Sequence, residues 1–171
     1  VDRFVVVGGR PLSGTVRIQG AKNSALPVIA ACLLTDEPVR LRNIPRLTDI
    51  DVMRRILHSL GAQCEWEGED LVVTARTITG HVIPENLMRE MRSSIIIMGP
   101  LLARYRRVSA SYPGGCAIGS RPIDLHLEGL RALGAHINDD GRGILCARAG
   151  TLRGAAIHLE LASVGATENI M

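Results

Sequence analysis

Apolar residues at Met53, Ile56, Leu57 and Leu60 fall at i, i+3, i+4 and i+7. That spacing puts them on one face and predicts an amphipathic helix over Asp49–Leu60. Gly61 stands where a helix ends by turning left-handed. Ala62–Glu65 and Leu71–Thr74 flank Gly68-Glu69-Asp70 and read as a hairpin. Upstream, Ser24–Leu34 is apolar on nearly every side, the pattern of a buried helix. Pro27 near its start suits a first turn, and Asp36-Glu37-Pro38 breaks the helix. Phe4–Val7, Thr15–Ile18 and Val39–Arg42 read as strands, the first two separated by Gly8-Gly9-Arg10-Pro11.

The same order then begins again. Arg92-Ser93-Ser94 opens a buried helix over Ile95–Ala103, and Val108–Ser111 is a strand. A helix over Ile123–Leu133 stops at Gly134, and strands at Ala135–Asn138 and Ile144–Ala147 flank Asp139-Asp140-Gly141. Asp51 aligns with Asp124, Met53 with His126, Gly61 with Gly134 and Gly68 with Gly141, at an offset of about 73 residues. The buried helices align at a slightly smaller offset, so the second copy gains residues, and they fall in Pro113-Gly114-Gly115-Cys116-Ala117-Ile118-Gly119. A third copy starts with a strand over Ala155–Leu159 and a helix opening at Ser163-Val164-Gly165-Ala166-Thr167. The chain ends inside that helix, and the expectation is a truncated third repeat.

Composition narrows the class. Apolar residues make up 46 % of 171 positions, enough to build a core, but aromatics are only 2 %. Leu, Ile, Val and Ala must fill the interior, and stacking platforms for single-stranded nucleic acid are lacking. The net charge is +3 without a basic block. Arg104, Arg106 and Arg107 read as a solvated face or a helix end before a polyanion patch. The longest apolar run, Ala25–Leu34, is too short to span a bilayer and contains a proline. The opening residues do not read as a basic-then-apolar signal peptide. Cys32, Cys64, Cys116 and Cys146 show no metal or redox spacing. These features predict a soluble, cytoplasmic protein with no metal, no cofactor, and neither nucleic acid nor membrane as partner.

Two features point to chemistry. Lys22 is the one lysine among 20 basic residues. It opens the first buried helix in Lys22-Asn23-Ser24, as Arg92 opens the second. A helix start carries unpaired N–H groups and partial positive charge, so a cation there is unfavourable unless an anion is bound nearby. If the repeats pack around a pseudo-threefold axis, Lys22, Arg92 and the Gly165 helix start meet at one receptor for phosphate or carboxylate. Plain capping by Asn23, Ser93 and Thr167 is the competing reading, and it leaves the cations unexplained. The second feature is the glycine loop, where Cys116 sits among small residues with Arg121 five positions on. A nearby guanidinium favours the thiolate; a buried free thiol is the alternative. Asp124 aligns with Asp51 and reads equally as a helix cap or a ligand contact. His126 aligns with the apolar Met53 and is either a core histidine or a site residue.

Together, Gly20-Ala21-Lys22-Asn23-Ser24-Ala25-Leu26-Pro27, Met91-Arg92-Ser93-Ser94, the Pro113–His126 stretch and Ser163-Val164-Gly165-Ala166-Thr167-Glu168-Asn169 carry a resemblance over essentially the whole chain. The sequence resembles the N-terminal part of the enolpyruvyl transferase family, in its UDP-N-acetylglucosamine 1-carboxyvinyltransferase branch. The resemblance implies an α/β fold, an inside-out α/β prism of repeated β-α-β-α-β-β units, truncated here. It implies that residues 1–20 belong to the other, C-terminal domain, and that 21–171 form most of the domain bearing the catalytic loop. The missing C-terminal half is then a partner, and the chain alone is expected to be inactive.

The implied reaction transfers the enolpyruvyl group of phosphoenolpyruvate to the 3′-hydroxyl of UDP-N-acetylglucosamine and releases phosphate, at the first committed step of peptidoglycan synthesis. By motif, Lys22 and Arg121 neutralise phosphoenolpyruvate and Arg92 helps hold phosphate. Asn23 meets the sugar. Arg121, Pro122, Ile123, Asp124 and Leu125 line the uridine. Ser163, Val164 and Gly165 hold the diphosphate, and His126 lies beside the reacting groups. Cys116 is the thiol that adds to phosphoenolpyruvate and is open to epoxides. Leu161 and Ala162 stand where some members carry a lysine. A shikimate-pathway enolpyruvyl transferase and a non-catalytic nucleotide-sugar-binding paralogue are the alternatives. Cys116 argues against the former. A thiol redox protein is disfavoured because Cys116 has no near resolving cysteine.

Overall fold

The computed structural model describes residues 3–114, 123–139 and 143–171. Two units of like design follow one another. In the first, helix α1 (Lys22–Ala31) tightens into a 3-10 turn at Cys32–Leu34, and strand β1 (Val39–Leu41) leads to helix α2 (Thr48–Leu60). Strands β2 (Gln63–Glu67) and β3 (Asp70–Thr74) complete it. In the second, a short helix α3 (Glu85–Glu90) precedes a 3-10 helix at Arg92–Ile97 and helix α4 (Met98–Tyr105). Strand β4 (Arg107–Ser111), helix α5 (Asp124–Ala132) and strands β5 (Ala135–Asp139) and β6 (Ile144–Ala149) follow. Helix α6 (Val164–Ile170) follows.

The repeat is exact at the level of pairing. Each unit has a three-stranded antiparallel sheet with the third strand central, in the order β1-β3-β2 and β4-β6-β5. Alternation sets the faces. Leu71 and Val73 of β3 are buried, as are Leu145 and Ala147 of β6, while Cys146 and Arg148 point outward. α2 lays Met53, Ile56, Leu57 and Leu60, all fully buried, against its own sheet. Full burial of such a side chain contributes about 1.5–3 kcal/mol. Both amphipathic helices end at left-handed glycines, Gly61 with φ 98° and Gly134 with φ 101°.

Several expectations need correction. Phe4–Val7, Thr15–Ile18 and Ala155–Leu159 form no strand, and the large apolar side chains of the first two are exposed. A strand needs a neighbour to pair its backbone, and among the described residues none lies beside them. Pro27 is the sixth residue of α1, beyond the first turn. It therefore withholds a mid-helix N–H from the Asn23 carbonyl. Pro100 is the third residue of α4, where a missing N–H is tolerated. The second buried helix begins as 3-10, with the single Ser94 hydroxyl proton shared between Met91 O (2.6 Å) and Met88 O (3.1 Å). Helix α1 is not buried all round either: Val28 is 46 % exposed, and the same side borders an apolar cavity of about 530 Å3 with Pro100, Leu133, Leu152 and Ile170. Arg104 belongs to a helix end: its Nη1 donates to Leu33 O (2.9 Å), Thr35 O (2.6 Å) and Ala75 O (3.0 Å).

Candidate functional site

The 3-10 helix packs against both α1 and α6, and the N-terminal ends of all three line one cavity. Asn23 near the start of α1, Arg92 and Ser93 at the start of the 3-10 helix, and Val164 and Gly165 at the start of α6 line one cavity of about 270 Å3. Ile123 and His126, from the beginning of α5, line it too. Helix starts present N–H groups without intrahelical partners and partial positive charge. Three of them around one space, with a guanidinium beside them, make an environment that favours an anion.

Lys22 is adjacent to this group but is not among the lining residues. Its Nζ lies 2.7 Å from Asp49 Oδ2 in the first turn of α2. Asp124 is the exposed first residue of α5 and Leu125 is half-buried, and neither lines the cavity. Ser163 is the residue before α6, and its Oγ accepts the Ala166 N–H at 3.2 Å. Cys116, Arg121 and Pro122 lie outside the described residues.

Ser163, not Thr167, caps α6, and Thr167 Oγ1 donates back to Ser163 O at 2.8 Å. Asn23 lies inside α1 and Ser93 inside the 3-10 helix, and neither segment has a side-chain cap bond. Asp51 caps nothing: it accepts from Arg54 Nη1 at 3.2 Å, while the residue before α2 is Leu47. Asp124 makes no cap bond either, and its charge suits the first turn of α5.

His126 is neither a plain core residue nor an open one. Its ring is half-buried, and Nδ1 is 3.0 Å from Asn169 Nδ2. Burial first, and then the Arg92 charge, hold its pKa below the ordinary 6.5. The ring is therefore neutral near neutral pH. Asn169 stands in the Ser163–Asn169 motif, which gave it no role of its own. It is buried, and the available signal was a polar side chain three positions from buried Ala166 on the inner side of α6. Glu168, likewise without an assigned role in that motif, lines the same cavity.

Among the described residues, no group of three His, Cys, Asp or Glu is placed to hold a metal ion. No helix among them is long and apolar enough to cross a membrane.

Residues 6–171 match the family described as EPSP synthase (3-phosphoshikimate 1-carboxyvinyltransferase). The chain belongs to this family. Within it, similar curated relatives carry the other carboxyvinyltransferase name. A UDP-N-acetylglucosamine 1-carboxyvinyltransferase of Acinetobacter baylyi is 45 % identical over 171 residues, covering 100 % of this chain and 41 % of the relative. A UDP-N-acetylglucosamine 1-carboxyvinyltransferase 2 of Caldanaerobacter subterraneus subsp. tengcongensis is 49 % identical, with the same coverage. This chain thus spans about two fifths of the length of such relatives and aligns with an N-terminal part of the enolpyruvyl transferase.

Solved structures agree on the fold. The enolpyruvyl transferase NikO from Streptomyces tendae superposes with a TM-score of 0.72 at 25 % identity, over 85 % of this chain and 32 % of that one. EPSP synthase from Acinetobacter baumannii superposes at 0.69 and 16 % identity, over 92 % of this chain and 37 % of its own. The α/β architecture with two small sheets is that of the enolpyruvyl transferases.

Proposed function

We propose that this chain is the portion of a UDP-N-acetylglucosamine 1-carboxyvinyltransferase that receives the nucleotide sugar and part of phosphoenolpyruvate. The whole enzyme then transfers the enolpyruvyl group to the sugar 3′-hydroxyl and releases phosphate. This is the opening reaction of peptidoglycan synthesis, carried out in the cytoplasm. The observation that carries the reading is the meeting of three helix starts, Arg92 and His126 around one small cavity.

The chemistry accounts for each role. Both substrates are anionic, so the binding surface must supply fixed positive charge and N–H donors. Val164 and Gly165 offer backbone N–H groups to the diphosphate, with Ser163 shaping the turn. Arg92 holds phosphate, and Asn23 meets the sugar. Ile123, Asp124 and Leu125, with Arg121 and Pro122, line the uridine, and Asp124 accepts a hydrogen bond from it. Lys22 joins Arg121 at phosphoenolpyruvate once its ammonium leaves Asp49. Cys116 adds to phosphoenolpyruvate or serves as a proton donor at its double bond. Residues 1–20, with exposed Phe4, Val5, Val6, Val7, Val16 and Ile18, pair with the other domain. Domain closure then excludes water from the cleft.

The test is binding of UDP-N-acetylglucosamine to the 171-residue chain, followed by amide chemical shifts. Shifts at Asn23, Arg92, Val164 and Gly165, without phosphate release from phosphoenolpyruvate, are the expected result. Unchanged shifts at all four overturn the assignment, and phosphate release by this chain alone overturns the need for a second domain.

A further inference from the structure

The hydrogen bonds around Asn169 decide the chemistry of the ring beside it. Asn169 is 4 % exposed. Its Oδ1 is 2.9 Å from the Gly99 backbone nitrogen, and its Nδ2 is 3.3 Å from the Ile95 carbonyl oxygen. A backbone N–H only donates and a carbonyl only accepts. Both bonds therefore fix the same orientation of the amide, and turning it over breaks both at once. The remaining Nδ2 proton points to His126 Nδ1 at 3.0 Å, so that nitrogen must accept. A neutral imidazole carries a single N–H.

We infer that Asn169 is a positioning residue that holds His126 with its ring proton on Nε2, so that the cavity meets an N–H donor there rather than a lone pair. A methyl group on Gly165 would lie 3.7 Å from Nε2, which puts the donor beside the start of α6. The glycine at Gly99 serves the same device, because a methyl there would come within 2.6 Å of Asn169 Oδ1. The role of that donor toward a bound anionic oxygen rests on the function proposed above. The tautomer itself does not.

The charges around the ring act in opposite directions. Arg92 on the 3-10 helix opposes protonation, while Glu168 of α6 lines the same cavity with the opposite sign. Asp124 and Glu128 belong to the ring's own helix, and the Lys22 ammonium of α1 is paired with Asp49. Protonation at Nδ1 would turn two donors toward each other at the Asn169 contact. Relief requires the amide to give up both the Gly99 and Ile95 bonds, so the geometry adds to the burial of the ring in keeping it neutral.

Nitrogen-15 shifts of the His126 ring in the ligand-free 171-residue chain test the tautomer. The expected spectrum has a proton-bearing Nε2 and a bare Nδ1 at pH 7.5. A proton on Nδ1 overturns the inference, and this measurement needs no variant. Asn169→Asp keeps an oxygen for Gly99 and places a carboxylate against Nδ1. It is expected to move the ring proton to Nδ1 and raise the titration midpoint by about 1–3 pH units. An unchanged midpoint and tautomer in a folded Asn169→Asp chain overturn the positioning role. On adding UDP-N-acetylglucosamine, the Nε2 proton is expected to shift. Binding that leaves it unmoved overturns the donor role alone. An absence of binding overturns the functional reading while the tautomer stands.

Discussion

Lys22 Nζ sits 2.7 Å from Asp49 Oδ2 and joins the first residue of α1 to the first turn of α2. A cation at a helix start opposes the helix dipole, and a carboxylate at the next helix start suits it. The pair therefore balances the charge that the sequence alone assigned to a bound anion. Its side chains are 43 % and 32 % exposed, so screening keeps it weak. A Lys22→Ala, Asp49→Asn double-mutant cycle in urea unfolding is expected to give a coupling of no more than about 1 kcal/mol. Under the proposed function, a pair this weak lets an anionic substrate compete for Lys22 at little cost.

Arg104 holds three carbonyls from three places, Leu33, Thr35 and Ala75, while its guanidinium lies 5.0 Å from the centre of the Tyr105 ring. Removing the side chain leaves the Ala75 oxygen to the Tyr105 hydroxyl at 3.2 Å and strands the Leu33 and Thr35 oxygens where water only partly reaches them. Arg104→Ala is expected to cost about 2–4 kcal/mol in urea unfolding. Arg104→Lys retains a multiple donor and recovers part of that loss.

Gly99 sits against Asn169 so closely that any side chain collides with the amide oxygen. Gly99→Ala is expected to destabilise the chain by about 1–3 kcal/mol through overpacking, read from the denaturation midpoint. It should also alter the His126 ring signals, because the amide that orients the ring must move.

His126 gives the chain a definite pH signature. The folded ring has a pKa below the ordinary 6.5, so the unfolded chain takes up the proton first as pH falls. The stabilisation is complete above that value and is lost as pH drops from 6.5 toward the lower folded pKa. Urea unfolding between pH 5 and about 8 is expected to show this slope. His126→Met, which installs the residue found at the aligned Met53, removes that contribution and should flatten the slope.

Thiol chemistry separates the cysteines. Burial pushes Cys32 up to about 11 and Cys64 up to about 12, and Cys32 Sγ donates to the Val28 carbonyl at 3.3 Å. Cys146 is exposed on β6. Peptide mapping after brief iodoacetamide treatment at pH 8 is expected to find Cys146 modified and Cys32 and Cys64 protected until denaturant is added.

The local rules of the chain determined much of this. Met53, Ile56, Leu57 and Leu60 announced α2, and the paired glycines at 61 and 134 announced its end and that of α5. The offset of about 73 residues announced two like units, which the two sheets repeat strand for strand. Those features lie in near neighbours, where spacing alone fixes the face a side chain takes. Tertiary structure decided what distant segments do to each other. Phe4–Val7 had the pattern of a strand but, among the described residues, no neighbour to pair with, and Lys22 had a carboxylate waiting on the next helix. Asn169, unremarkable in its heptapeptide, became the buried link between Gly99, Ile95 and His126. A hydrogen bond between residues 43 positions apart leaves no period in the sequence, because its geometry exists only once the segments have packed.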